Sequence, residues 1–212
     1  MNQHSTHHNA SLRETLKQKR QSLDAQYLSQ GALRIRARLY TWLSTQLAQM
    51  PAERAEEKLN LAAFWSLPAE PELQPLLNKW ASESPAQLSL CLPCIEQSDA
   101  PLVFRPWTLE TPMKKGAHNI PEPDSTEQAV KPDIILVPTL GYTRQGDRIG
   151  YGKGYYDRTL AALKAQYHPF VTIGIAWSCG DLSAFDYQPQ AHDVPLDAIL
   201  TEQGWAKAAP QL

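Results

Sequence analysis

The chain has no apolar run long enough to cross a bilayer, and its first ten residues, MNQHSTHHNA, lack the apolar core of a secretory signal. A cytoplasmic protein with no membrane partner is therefore expected. Cysteine is scarce: Cys91, Cys94 and Cys179 are an odd number, which suits a reducing compartment better than a disulfide framework. Cys91-Leu-Pro-Cys94 has redox or zinc spacing, but it lies inside LSLCLPCI with no second cysteine pair and reads as part of a strand. A net charge of only -2 leaves no general surplus of positive charge for coating nucleic acid, so no nucleic-acid partner is expected and small charged ligands remain open. No internal repeat is present. A chain of 212 residues can bury a substantial core, and the simplest organisation is a disordered tail over 1–10 followed by a single domain over 11–212. His4, His7 and His8 lie in that polar tail without carboxylate or cysteine partners, so no metal site is expected there.

Glycine is also sparse, and its distribution is uneven. Of ten glycines, five fall between Gly141 and Gly154. They follow Ile134-Ile135-Leu136-Val137, an apolar run of the right length for a strand buried on both faces, stopped by Pro138. They precede Tyr156, Leu160, Leu163 and Tyr167, which repeat at helical spacing. Strand, glycine-rich loop and helix N-terminus is an order that holds anions on unpaired backbone N–H groups. Arg144, Arg148, Lys153 and Arg158 sit in or beside the loop. Asp157, in the first turn of the helix, would be repelled by a polyphosphate unless a divalent cation lay between them, so a magnesium nucleotide is the expected ligand. A bare glycine-rich turn would require fewer glycines, cations and aromatics than are present.

General nucleotide motifs do not fit. A P-loop needs Gly-Lys followed by Ser or Thr, yet Gly154 follows Lys153; the dinucleotide fingerprint fails at Tyr155, where its third glycine belongs.

Arg148-Ile-Gly-Tyr-Gly-Lys-Gly-Tyr-Tyr-Asp-Arg158 resembles the R-[LI]-G-x-G-x-G-Y-Y-D signature of the 5-formyltetrahydrofolate cyclo-ligase family. The resemblance extends, in the family's order, to the N-terminal helix, the segment near Glu70, Asn119 to Pro123, and His192 to Asp197. It implies ATP-dependent conversion of 5-formyltetrahydrofolate to 5,10-methenyltetrahydrofolate, with ATP and Mg²⁺ required and a monomer as the expected form. It implies an ATP site of Arg13, Arg148, Gly150, Tyr151, Gly152, Lys153, Gly154, Tyr155 and Tyr156, with Arg148 and Lys153 in catalytic roles. The implied folate contacts are Trp65, Glu70, Tyr151, Gly152, Lys153, Gly154 and Tyr155, and the implied metal ligands are Asp157 and Asp193. Four positions depart from the family pattern: Asn9 stands where a lysine belongs, Tyr142-Thr143 replaces Phe-Asp, and Gly180 falls where a glutamine is common.

The remaining segments supply the frame. A helix is expected from Ser11, with Leu12, Leu16 and Leu23 on one face and Arg13, Lys17, Lys19 and Arg20 elsewhere, mostly solvated. A second is expected over roughly Asp24 to Gln49, followed by the charged linker PAERAEEK. LNLAAFW, LSLCLPCI, LVFRPW, FVTIGIAW and DAILT read as strands, the last being the final one, and Thr111 to Lys131 as a long ordered loop. Glu70 has two readings, a ligand contact or the start of the helix carrying Leu73, Leu76, Leu77 and Trp80, with Glu72 as the alternative contact. His192 by itself reads as a turn histidine, and Asp197 as structural. Alternating strands and helices predict an α/β fold, and the family resemblance makes it a three-layer sandwich with a mostly parallel, mixed, Rossmann-like sheet. A relative that binds nucleotide or folate without turnover, or one acting on another formyl or amide compound, remains open at this point.

Overall fold

The computed structural model describes residues 2–54, 58–83 and 86–212. Two helices come first, α1 (Asn2–Gln21) and α2 (Ala25–Ala48). Asp24 starts the second as its N-cap, accepting from the Tyr27 N–H at 2.7 Å. Next come β1 (Leu59–Ala62), α3 (Gln74–Glu83), β2 (Leu88–Cys94) and β3 (Val103–Pro106). A hairpin of β4 (Met113–Lys115) and β5 (Pro121–Pro123) precedes β6 (Ile134–Pro138). A second, shorter hairpin joins β7 (Gly141–Tyr142) to β8 (Arg148–Ile149) and leads into α4 (Tyr155–Ala165). The chain closes with β9 (Val171–Ile175), β10 (Ala198–Thr201) and β11 (Gly204–Lys207).

Seven strands form one sheet in the order β11-β10-β9-β6-β1-β2-β3. The five central strands are parallel, and only the edge strands β3 and β11 run antiparallel. The buried residues divide by the pleat. Ile134 and Leu136 share a cluster with Ile35 and Leu39 of α2 and Leu76 and Leu77 of α3, whereas Ile135 and Val137 pack with Leu160 and Leu163 of α4. Two helices on one face and one on the other make the expected three layers. Helix α1 lies apart from both, where Leu12 and Leu16 pack on Leu140, Ile149, Leu182 and Tyr187.

Several expectations change in detail. Helix α1 begins well before Ser11, and Asn9, placed in the expected disordered tail, is helical and 8% exposed; the polar stretch before Ser11 has no apolar periodicity to announce this. The side chains of His4, His7 and His8 lie outside the described residues, as do residues 55–57 of the charged linker. Tyr167 is not on the apolar face of α4: the helix ends at Ala165, and Tyr167 adopts φ 53 and is 95% exposed. Thr111 to Lys131 is not all loop, because β4 and β5 pair within it. Nor is DAILT the final strand. After Thr201 the chain turns through Gly204, at φ 140, and returns as β11, whose half-buried residues give no apolar signal. Cys91 and Cys94 are free thiols within β2, as the strand reading expects, and burial pushes the Cys94 thiol up to about 11.

Candidate active site

From β1 the chain steps across the sheet to β2 on one side, whereas β6, β9 and β10 extend on the other. The reversal leaves a crevice beyond the carboxyl ends of β1 and β6, the place where open α/β sheets bind ligands. A cavity of about 560 Å³ occupies it, with Phe64 and Trp65 after β1, Pro138 ending β6 and Arg13 of α1 among its walls.

One wall is the loop between β8 and α4. Gly152 and Gly154 adopt φ 88 and φ 67, a region other residues enter only with strain. At Gly152 a second constraint applies, because an added Cβ would stand 3.1 Å from Cζ of Arg13. That arginine lies along the loop and donates from Nε to the Gly150 carbonyl at 2.9 Å. Gly154 is the N-cap of α4 and supplies no side chain to satisfy the first-turn N–H groups. Arg158 donates to the Lys153 carbonyl at 2.8 Å and lies over the Tyr155 ring at 5.1 Å, holding the loop from outside. The Lys153 ammonium lines the cavity with no hydrogen bond or ion pair among the described residues.

Two carboxylates arrive from different elements. Asp157, in the first turn of α4, accepts from Arg148 Nη2 at 2.7 Å and from the Val194 N–H at 3.3 Å, both at Oδ1. Arg148, 7% exposed, also donates from Nη1 to the Val194 carbonyl at 2.7 Å, so its fork ties α4 to the segment before β10. Beside Val194, Asp193 accepts from the Gln190 N–H at 2.7 Å, and Tyr187 Oη lies 3.5 Å away; both contacts fall on Oδ2. Burial, then the charge of Asp193, pushes the Tyr187 hydroxyl above its ordinary range. Oδ2 of Asp157 and Oδ1 of Asp193 accept no hydrogen bond among the described residues, and both residues line the cavity. Among those residues no group of three or more His, Cys, Asp or Glu could hold a metal alone. The pair nevertheless suits Mg²⁺, which takes one or two protein carboxylates and completes its shell with water and phosphate oxygens. His192 is exposed and 3.8 Å from Asp193, consistent with a turn histidine. Asp197 faces away from this chemistry and accepts from the N–H and Oγ1 of Thr172.

The opposite wall is the turn between β1 and α3. Glu70 does not begin that helix: Pro71 disfavours helical geometry at the residue before it, and α3 starts only at Gln74. The turn is held in a left-handed conformation at Ala69, φ 64, whose carbonyl accepts from Trp177 Nε1 at 2.8 Å. Glu70 is thereby 7% exposed, with Oε2 accepting from the Leu67 N–H at 2.8 Å and Oε1 from the Tyr151 hydroxyl. Burial pushes the Glu70 carboxyl up, opposed by those two hydrogen bonds and by Arg20. Burial likewise raises the Tyr151 hydroxyl, followed by the Glu70 charge. Glu72 is outside the cavity and faces Arg36 at 3.6 Å.

Arg13, Trp65, Glu70, Arg148, Asp193 and the run from Gly150 to Asp157 therefore share one cavity, whereas Glu72, Arg158 and Arg144, which pairs with Asp181 at 3.4 Å, lie outside it. Sequence reasoning did miss neighbours. Arg20, expected in solvent, is buried behind Glu70, at 3.8 Å from Oε1. The spacing Asn9, Arg13, Leu16, Arg20 places all four on one helical face and would have revealed it. Lys17 and Lys19 do not replace the lysine missing at position 9: Lys17 pairs with Glu14 at 2.7 Å, and Lys19 lies over the Phe185 ring at 4.6 Å. The turn between β4 and β5 adds His118, at φ 56, and Glu122 to the cavity wall, and no sequence periodicity marks it.

The chain matches the model of the 5-formyltetrahydrofolate cyclo-ligase family over residues 5–202. It is 32% identical to a 5-formyltetrahydrofolate cyclo-ligase of Haemophilus influenzae over 162 residues, covering 74% of this chain and 82% of that protein. It is 27% identical to the Escherichia coli K12 protein of the same name over 146 residues, covering 66% and 76% of the two chains. Among solved structures, 5,10-methenyltetrahydrofolate synthetase of Aquifex aeolicus superposes with a TM-score of 0.69 at 24% identity, over 96% of this chain and 95% of that one. The Mycoplasma pneumoniae synthetase gives 0.67 at 23% identity, over 92% and 98%. At those identities the superpositions speak for the fold.

Proposed function

Because the chain belongs to the 5-formyltetrahydrofolate cyclo-ligase family, we propose that it closes 5-formyltetrahydrofolate to 5,10-methenyltetrahydrofolate at the expense of ATP, releasing ADP and phosphate. The observation that carries this reading is that the Tyr151 side chain, on the phosphate-type loop, bonds Glu70 on the opposite wall of the same cavity. A nucleotide tail on the loop and a folate ring against Glu70 would meet there.

The chemistry requires that meeting. A formamide oxygen is a poor leaving group in water. Moving the γ-phosphoryl group of ATP onto it gives an imino-phosphate, which the nitrogen at folate position 10 attacks, closing the ring as phosphate departs with the oxygen. Phosphoryl transfer asks the protein for positioning and charge neutralisation rather than for a nucleophile. Lys153, Arg13 and the first-turn N–H groups of α4 serve the phosphates. Arg148 acts through Asp157, which it orients from behind. Asp157 and Asp193 would hold Mg²⁺, whose charge offsets that of the phosphates when bound. Trp65, Tyr151 and Tyr155 offer flat surfaces to the pterin and the formyl group, and Tyr155 and Tyr156 also pack on the α4 side of the core. The protein acts as a single-domain monomer in the cytoplasm, and no helix among the described residues is long and apolar enough to cross a membrane.

The test is turnover of the purified protein with MgATP and 5-formyltetrahydrofolate, followed by the near-ultraviolet absorbance of the methenyl product. Product accumulation with stoichiometric ADP supports the reading. Binding of both ligands without product would assign a non-catalytic relative, and turnover confined to another formyl or amide compound would reassign the substrate.

A further inference from the structure

Arg20 is a buried cation that the reaction as described leaves without a task. Its side chain is 11% exposed, and it is absent from the cavity wall, so it does not meet a ligand directly. From Nη1 it donates to the Tyr151 hydroxyl at 2.5 Å, and its guanidinium lies 5.3 Å from the centre of the Tyr151 ring. It stands 3.8 Å from Glu70 Oε1, the oxygen that the same hydroxyl holds. Two turns earlier on α1, Arg13 grips the carbonyl of Gly150, so successive loop residues are held by two arginines of one helix face.

The arrangement is not a comfortable one for an arginine. Its Nε is buried with no hydrogen-bond partner among the described residues. A residue serving only to fill space there would be better apolar, because an orphaned donor and a buried charge both oppose folding. We propose that Arg20 is a positioning residue for the reaction: its guanidinium holds the Tyr151 hydroxyl against the Glu70 carboxylate, so that one cation outside the cavity fixes the nucleotide wall and the folate wall relative to each other. The inference rests on the cyclo-ligase reading of the cavity. Glu70 is faced by Tyr151 from the loop, by Arg20 from α1 and by Tyr156 from α4, and Arg20 is the only cation among these groups. Removing it leaves only the hydrogen bonds from the Tyr151 hydroxyl and the Leu67 N–H to oppose burial, so the Glu70 carboxyl moves further up and is neutral over a wider pH range.

The test compares Arg20→Met and Arg20→Lys in the full chain, made in a Cys179→Ser background because Cys179 also lies in the field of Arg20. In steady-state turnover, Arg20→Met is expected to raise the KM for 5-formyltetrahydrofolate about tenfold at neutral pH with the KM for ATP little changed. The acid limb of kcat/KM for the folate moves to higher pH, and Arg20→Lys, which keeps the charge but not the fork, returns the limb without restoring the full KM. A readout independent of turnover is the thermal midpoint of the free protein. The deficit of Arg20→Met widens as pH rises from about 5 to about 8, and adding Glu70→Gln removes the widening. A deficit that is flat with pH, or a widening that persists with Glu70→Gln, overturns the proposal even if the starting protein is inactive. Turnover of the starting protein with an unmoved acid limb also overturns it, and absence of that turnover instead counts against the cyclo-ligase reading.

Discussion

The two walls of the cavity are built in opposite ways. The loop wall is one uninterrupted run, residues 148–157, in which glycines, cations and a first-turn carboxylate stand within a few positions of one another. The opposite wall is assembled from the turn after β1 and the hairpin of β4 and β5, with Arg20 of α1 behind it, segments far apart in sequence. The loop takes its shape from left-handed backbone at Gly152 and Gly154, with Arg13 and Arg158 holding its carbonyls, whereas the other wall depends on contacts from distant segments such as Trp177 with Ala69 and Tyr151 with Glu70. A run of neighbours specifies its chemistry locally; an assembled wall specifies it only once the fold is in place.

If that contrast is right, mutations on the loop strike kcat and mutations on the assembled wall strike folate recognition. The largest effect is expected from Lys153→Ala, which removes a cation with no structural partner among the described residues and should lower kcat by about 10²–10³ with little change in the thermal midpoint. Loss of stability in place of kcat would break the distinction. Arg148→Met tests the reverse case, a loop residue already committed to Asp157 and Val194. Leaving Asp157 without its buried partner should cost about 3 kcal/mol of stability, readable by denaturant unfolding, along with activity.

Glu70→Gln sharpens the contrast from the other side, raising the KM for the folate about tenfold while the KM for ATP stays near its starting value. It also carries a pH signature. Burial holds the Glu70 carboxyl above its ordinary value of 4.5. The unfolded chain therefore gives up the proton first, and stability present below about pH 4.5 is lost as pH rises through the raised folded value. Wild type should lose stability relative to Glu70→Gln across that window and run parallel to it above. The smallest effect belongs to Glu72→Gln: that carboxylate is exposed opposite Arg36, and its loss should move stability by less than about 0.5 kcal/mol and neither KM.

The same contrast explains what could be read from the sequence. Strand β6, the loop and α4 follow from an apolar run, a cluster of glycines and a helical period, each a local signal. Of the two carboxylates proposed to hold Mg²⁺, Asp157 is marked by its conflict with phosphate, whereas Asp193 follows only from family resemblance, since nothing near it in sequence names its partner. Amphipathic patterning sorts residues by polarity and so assigns Arg20 to solvent, although its side chain is only 11% exposed. The early start of α1 and the strand β11 leave no sequence signal, because neither the stretch before Ser11 nor the half-buried Gly204–Lys207 alternates or repeats in apolar character. Two departures from the family pattern became intelligible only in three dimensions. Thr143 Oγ1 donates to Asp147 at 2.9 Å to close the turn of the β7–β8 hairpin, and an added Cβ at Gly180 would stand 2.5 Å from the Leu140 carbonyl.

In the proposed mechanism, nucleotide and folate react across this cavity by transfer of a phosphoryl group to the formyl oxygen. A single turnover with 5-formyltetrahydrofolate carrying ¹⁸O in the formyl group, followed by mass analysis of the released phosphate, tests it without any mutation. The account predicts that the label leaves in phosphate, one ¹⁸O for each methenyl product formed; label appearing in water, with unlabelled phosphate, would contradict it.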